Sequence, residues 1–254
     1  MALLTANFYS NALGTVTAIT VILPEQRGVT KPHQALYLLA GGYADHTYML
    51  REFPIERYVR DYDLAVVMPY MAGRCHYKNI PYGEQWRDFY SEELPGICRR
   101  MFHISGSRED TFAVGASGGG LLAARLGLQN PDTFSAVGSV YPALSSQRFL
   151  DRMADKSSER YKQLAYYYGD PMDPEYDIFI ILEKAAANKR KAALHLSCGT
   201  EDGLFGIVTE FRDKAVELGF DPAWYQGPGG HTSEFFADRF VEILEWLPLR
   251  KLDK

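Results

Sequence analysis

TFAVGASGGGLLAARL, residues 111–126, runs from a short apolar stretch through a glycine-rich turn into an Ala/Leu-rich segment. Thr111, Phe112, Ala113 and Val114 read as a buried strand, and Leu121, Leu122, Ala124, Leu126 and Leu128 recur at helical spacing. Strand, tight turn and helix, with Ser117 at the apex of Gly115-Ala116-Ser117-Gly118-Gly119, is the pattern of a nucleophile elbow. The glycines have a steric reason. A reversal this sharp leaves no room for side chains at Gly115 and Gly119, and it forces the serine into a strained backbone conformation. The hydroxyl then stands above the carboxyl edge of the sheet, at the positive dipole end of the following helix. The stretch lacks the G-K-[ST] ending of a phosphate loop, and GASGGG does not fit G-x-G-x-x-G after its strand. A tight turn without chemistry is the alternative reading of the five-residue pattern alone.

Outward from this stretch, strands alternate with helices. Toward the N-terminus, 16–23 alternates and is β-branched, 34–39 is an apolar run leading into Ala40-Gly41-Gly42, and 64–68 is another apolar run. The spacing predicts helices over 47–60, with Pro54 in its first turn or at a break, and over 85–100, which Pro95 interrupts. Residues 25–33 read as a polar turn and 70–82 as an irregular loop. Toward the C-terminus, strands are expected at 136–141, 192–198 and 222–226. Helices are expected at 178–188 with Asp177 as N-cap, at 209–218 closed by Gly219, and at 234–247. Residues 144–177 are polar and Tyr-rich, and read either as a partial lid of one or two helices or as an ordinary long connection. The sum is an α/β chain, one domain over 1–254. Its expected core is a mostly parallel sheet of about eight strands with helices on both faces and an antiparallel first hairpin.

Composition narrows the function classes. The chain of 254 residues is 46% hydrophobic and 23% charged, with a net charge of −5. Interspersed charges of both signs argue against nucleic acid and against an anionic membrane as partners. The N-terminal MALLTANFYSNALG has neither a basic region nor a sustained apolar core, so it does not read as a signal peptide, and no apolar run is long enough to span a bilayer. Cys75, Cys98 and Cys198 are odd in number and widely spaced, which suggests free thiols in a reducing, cytoplasmic setting. No His, Asp or Glu cluster has metal-ligand spacing, so no metal is expected. Seventeen tyrosines, among them Tyr166-Tyr167-Tyr168, suit the walls of an organic-ligand pocket, though half-buried packing is the better account of most of them.

In open α/β sheets, ligands sit beyond the carboxyl ends of the strands. At those ends stand Gly41 and Gly42, then Ser117, then Asp202, then His231. Ser, Asp, His is the α/β-hydrolase order. One helix and one strand separate Asp202 from His231, so their loops should be neighbours. Serine is a poor nucleophile while it holds its proton. His231 would take that proton, and Asp202 would fix the imidazole tautomer from the other ring nitrogen. The amides of Gly118 and Gly42 would bind the oxyanion. Asp202 could instead cap a helix, with Glu201 as the rival acid, and His231 could be a surface residue of a Gly-rich loop. His195 lies inside a strand and reads as a core histidine. Gly41, Tyr82 and Trp86 are expected to line the substrate pocket.

With these residues in place the chain resembles the esterase D and tributyrin-esterase branch of the α/β-hydrolases, with S-formylglutathione hydrolases and family-1 carbohydrate esterases (feruloyl and acetylxylan esterases). The matching pieces cover nearly the whole chain: FYSNALGTVTAITVILPE, LYLLAGG, DLAVVMPY, SEELPGICRRMF, VGASGGG, SCGTEDGLF and GPGGHTSEFF. The resemblance implies a bacterial, intracellular enzyme without cofactor that hydrolyses small-molecule carboxylic esters through an acyl-enzyme. Ser117 would be the nucleophile, Asp202 the acid and His231 the base. A thioesterase and a homo-oligomer are both compatible with it. The chain departs from the branch at Ala40-Gly41, where His-Gly is usual, and at Gly118, where a larger residue such as Met is usual.

Overall fold

The computed structural model describes residues 1–25, 31–71 and 77–252. Parts of the expected 25–33 turn and 70–82 loop, with Cys75 and His76, lie outside the described residues. Eight strands form one sheet: β1 (Ala2–Ser10), β2 (Thr15–Leu23), β3 (Gln34–Leu39), β4 (Leu64–Pro69), β5 (Thr111–Ala116), β6 (Ala136–Val140), β7 (Ala193–Gly199) and β8 (Ala223–Gly227). Their order across the sheet is β1-β2-β4-β3-β5-β6-β7-β8. β2 runs antiparallel to β1 and to β4, and every other pairing is parallel. This is the α/β-hydrolase plan. The sheet core is β3, β4 and β5, whose residues are buried throughout. Strands covered on both faces read as continuous apolar runs, as these do. The edge strand β1 breaks that rule. ALLTANFYS has no clean alternation and is largely exposed, so its strand character comes from nine residues of pairing with β2.

Helices follow the same logic with two interruptions. The expected 47–60 helix is two short ones, α1 (Tyr48–Glu52) and α2 (Ile55–Val59). Pro54 drives Phe53 into extended backbone, φ −135° and ψ 146°, and so ends the first. The expected 85–100 helix is α3 (Trp86–Asp88), a π-turn over Phe89–Glu93, and α4 (Leu94–Met101). Pro95 has no N–H and would crowd the carbonyl four residues back. The widened turn ahead of it lets the helix continue.

The remaining helices are α5 (Gly118–Gln129), α6 (Gln147–Arg152), α7 (Glu159–Tyr168), α8 (Ile178–Ala186), α9 (Phe205–Glu217) and α10 (Ser233–Trp246). Consecutive residues of β6 show which face each helix covers. Val137 packs under Gly127 of α5, whereas a side chain at Gly138 would collide with Ile243 of α10. Neighbouring strand residues point to opposite faces, so α5 and α10 lie on opposite sides of the sheet. Phe236, Phe240 and Ile243 of α10 are fully buried, and each stabilises by about 2 kcal/mol.

Segment 144–177 folds as α6 and α7 around a small core of its own: Leu150, Tyr161, Tyr168, Met172 and Tyr176. Two residues fasten it to the sheet layer. Asp177 caps α8, accepting from the Phe179 N–H at 2.9 Å, and its second oxygen takes the Gln147 N–H at 2.7 Å. Arg125 of α5 is fully buried and donates to the Tyr176 carbonyl. Its guanidinium lies 5.0, 5.9 and 6.0 Å from the ring centroids of Tyr77, Tyr176 and Tyr168. Aromatic faces stand in for the anion a buried cation normally requires. Burial holds the Arg125 pKa below its ordinary value.

Candidate active site

Ser117 follows β5 with φ 54° and ψ −116°, a conformation that costs a non-glycine residue energy. The surroundings enforce it. Its N–H donates to the Val140 carbonyl at 3.0 Å, and its own carbonyl accepts the N–H groups of Leu121 and Ala143, each at 3.0 Å. The turn tolerates only glycine at both flanks. A Cβ on Gly115 would sit 2.3 Å from the Gly119 carbonyl oxygen, and one on Gly119 would sit 2.1 Å from the Leu39 carbonyl oxygen. The end of β3 thus presses directly on the elbow. A Cβ on Gly41 would meet Ser117 Cβ at 3.8 Å, which places the Gly41-Gly42 turn beside the serine.

The loops after β7 and β8 are joined to each other. Thr200 and Glu201 donate backbone N–H groups to the carbonyls of Gly227 (2.9 Å) and Gly229 (3.0 Å). A Cβ on Gly199 would lie 2.0 Å from the Gly229 carbonyl oxygen, and Gly229 itself has φ +130°. Close backbone approach and a left-handed residue are what glycine supplies here. Across this junction His231 Nδ1 lies 2.8 Å from Asp202 Oδ2. The Asp202 side chain is 2% exposed and that of His231 43%. Asp202 Oδ1 accepts the Leu204 N–H at 2.8 Å. The carboxylate therefore serves the turn into α9 and the histidine at once, and the two sequence readings of Asp202 are not exclusive. Glu201 is exposed. His231 bonds to Asp202 and not to Ser117 in this structure; such bonds often close only around a substrate.

Tyr141, one residue beyond β6, went unnoticed in the sequence. Its φ is +34°. Its ring centroid lies 4.2 Å from that of His231, tilted by 43°. Its hydroxyl donates to the Thr232 carbonyl at 3.1 Å, and its N–H to the Ser197 carbonyl at 2.7 Å. Burial raises the phenol pKa well above its ordinary value, so the hydroxyl remains a donor. The signal that finds this residue is strand order. β6 lies between β5, which ends in the serine, and β7, which ends in the aspartate.

A cavity of about 300 Å³ opens over Ser117 and is lined by Gly42, Gly118 and Tyr43 on one side. Leu121, Leu144, Phe149, Leu164, Tyr168 and Leu204 supply its apolar wall. Three of these, Phe149, Leu164 and Tyr168, come from α6 and α7. Of the expected pocket residues Gly41, Tyr82 and Trp86, none is among its lining. Tyr82 is fully exposed in a turn at φ +60°. Trp86 stacks on Tyr90 and borders a second cavity with His46 and Tyr70. Trp86 thus faces β1 and β2, and Tyr82 faces solvent. Among the described residues, no group of three or more His, Cys, Asp or Glu could hold a metal ion.

The chain resembles known proteins along nearly its whole length. The family model Esterase, whose description reads "Putative esterase", matches residues 10–247. An acetyl esterase of Caldicellulosiruptor saccharolyticus is 29% identical over 268 residues, covering 97% of this chain and 98% of that protein. The crystal structure of an S-formylglutathione hydrolase from Staphylococcus aureus superposes with a TM-score of 0.85 at 27% identity, over 97% of this chain and 98% of that one. A ferulic acid esterase shares the fold, with a TM-score of 0.81 at 21% identity over 97% of each chain.

Proposed function

Because the chain belongs to the Esterase family and is a carboxylic ester hydrolase, we propose that it cleaves short-chain acyl esters through an acyl-enzyme on Ser117. His231 and Asp202 complete the catalytic triad. The observation that carries this reading is the 2.8 Å bond from His231 Nδ1 to a carboxylate that is almost wholly buried. That bond leaves Nε2 as the free acceptor and stabilises the imidazolium that forms when the serine proton arrives.

The steps follow from the placement of each group. Ser117 Oγ attacks the ester carbonyl as His231 removes its proton. The carbonyl oxygen gains the negative charge and is met by the amides of Gly118, at the start of α5, and Gly42. Collapse expels the alkoxide, which takes the proton held by His231. Water then enters, gives its proton to His231 and attacks the acyl-enzyme, and the acid leaves as Ser117 recovers its proton. Segment 144–177 acts as a partial lid of the single domain, since α6 and α7 wall the cavity. A cytoplasmic setting belongs to the same reading, with Cys98 and Cys198 as buried free thiols.

The likeness to an S-formylglutathione hydrolase at 27% identity favours a second reading, thioester cleavage by the same residues. Rates on para-nitrophenyl acetate, para-nitrophenyl butyrate and S-formylglutathione, for wild type and Ser117→Ala, separate the two. Ester turnover exceeding thioester turnover and lost in Ser117→Ala is expected. Turnover that survives Ser117→Ala within tenfold removes the nucleophile.

A further inference from the structure

We infer that Arg160 makes this site selective for esters that carry a second, anionic group, an inference that rests on the proposed role of Ser117. Arg160 stands in the first turn of α7 and lines the cavity that holds Ser117. No Asp or Glu lines that cavity, and its other lining side chains are chiefly leucines and aromatic rings. The wall therefore presents a cation at one place, opposed by no carboxylate.

The other cations of the segment show why Arg160 differs. Arg148 and Arg152 are both bound to Glu210. Lys162 pairs with Glu159, the neighbour that would otherwise compete for Arg160. Lys156 lies over the ring of Tyr161. Among the described residues, no carboxylate lies within ion-pair distance of Arg160. Its guanidinium rests 5.4 Å from the ring centroid of Phe149, itself part of the cavity wall. A guanidinium lying over an aromatic face keeps its N–H edge available, is weakly hydrated and matches a carboxylate with two parallel bonds. A salt-bridged arginine would have to give up its partner before it could bind a substrate; this one has none to give up.

The substrate chemistry follows. A carboxylate set across a short apolar spacer from the scissile carbonyl would place its spacer on the leucine wall and its charge on Arg160. Two ester types have that shape: half-esters of dicarboxylic acids, with the charge on the acyl side, and acyl esters of hydroxy acids, with the charge on the leaving group.

The test uses the whole enzyme and two matched pairs. Mono-para-nitrophenyl glutarate is compared with its methyl ester, and para-acetoxybenzoate with its methyl ester. The quantity read is the ratio of kcat/KM for the anionic member to that for the neutral one, in which the active fraction of each preparation cancels. In the pair on the correct side, wild type favours the anion by about tenfold, as a partly exposed charge-assisted bond allows. Arg160→Gln brings the ratio close to one, Arg160→Glu takes it below one, and Arg160→Lys keeps part of the preference, mainly through KM. Ratios that change less than twofold in Arg160→Gln for both pairs overturn the inference while leaving the esterase reading intact. Failure of wild type to turn over all four esters overturns the Ser117 reading and this inference with it.

Discussion

Two histidine–aspartate pairs stand at opposite ends of the same parallel sheet. Beyond the carboxyl ends of β7 and β8, His231 meets Asp202 at 2.8 Å. Just ahead of β3 and β4, His33 meets Asp63 at 2.5 Å. The bond is the same, but its surroundings are not. Asp63 also accepts from Arg250 Nε at 3.2 Å, and Arg250 reaches on to Asp110, the residue before β5, at 2.8 Å. Its backbone N–H donates to Gln34 Oε1 at 2.7 Å. His33 is buried, with its side chain 9% exposed, against 43% for His231. The amino-end pair ties the chain beyond α10 to the starts of three adjacent strands. The carboxyl-end pair leaves its imidazole open, at the sheet end where the strained serine also stands. In the proposed mechanism the same histidine–carboxylate bond serves chemistry at one end of the sheet and the fold at the other.

The largest effect expected from this contrast is at the serine. Ser117→Ala should lower kcat on para-nitrophenyl acetate by roughly 10⁴-fold or more, the scale of nucleophile loss in triad enzymes. The melting temperature should hold, because alanine keeps the same Cβ and backbone and removes only a hydroxyl. A parallel fall in melting temperature would assign Ser117 to the fold instead.

The two aspartates give the direct test. Asp202→Asn should cost about 10⁴-fold in kcat, since an amide no longer selects the productive imidazole tautomer. Asp63→Asn should leave kcat/KM within about twofold and destabilise by about 3 kcal/mol, because Arg250 and His33 lose a common acceptor. Urea unfolding alongside steady-state kinetics reads both quantities. If the asparagine at 63 proves the more damaging to turnover, the comparison between the two ends collapses.

A third histidine sharpens it through pH. His195 in β7 is buried against Trp246, its Nδ1 has no partner among the described residues, and burial lowers its pKa from 6.5 to about 4. The unfolded chain binds a proton at this residue where the folded chain does not. Its contribution is therefore complete above pH 6.5 and is lost as the pH falls toward 4, by about 2–3 kcal/mol. His195→Leu should flatten the pH dependence of urea unfolding over that window by this amount. An unchanged slope would mean that His195 is not held neutral by burial.

How much of this was legible in the sequence follows from which forces are local. The elbow could be read because its glycines answer to contacts within a few residues of Ser117 and to the adjacent strand end. Asp202 and His231 could be placed because each follows a recognisable strand, and the rule about strand ends needs no strand order. The polar end could not be read: His33, Asp63, Asp110 and Arg250 lie far apart in the chain and converge only through the β4-β3-β5 order. The cavity wall was hidden for a similar reason. Phe149, Leu164 and Tyr168 belong to helices whose apolar faces are divided between a small satellite core and the site. Tyr82 and Trp86 were selected by nearness in sequence, which does not say which way a side chain turns. The antiparallel first hairpin was expected, but the residues of β1 could not be assigned because an exposed edge imposes no alternation.

The smallest and most discriminating prediction concerns Tyr141, which ties these observations together. The hydroxyl anchors the Thr232 carbonyl and so fixes the loop that carries His231, while the ring supports one face of the imidazole. Tyr141→Phe removes only the first of these. One net hydrogen bond is worth about 1 kcal/mol, so kcat/KM should fall about fivefold with little change in melting temperature. Tyr141→Leu removes the ring as well and should cost distinctly more in kcat than in KM, because a loosened imidazole fails at proton transfer and not at substrate binding. If the phenylalanine and leucine variants both match wild type, His231 is held by Asp202 alone. The carboxyl-end pair would then be as self-sufficient as the one at the amino end, and the difference between them would lie wholly in the serine and the cavity.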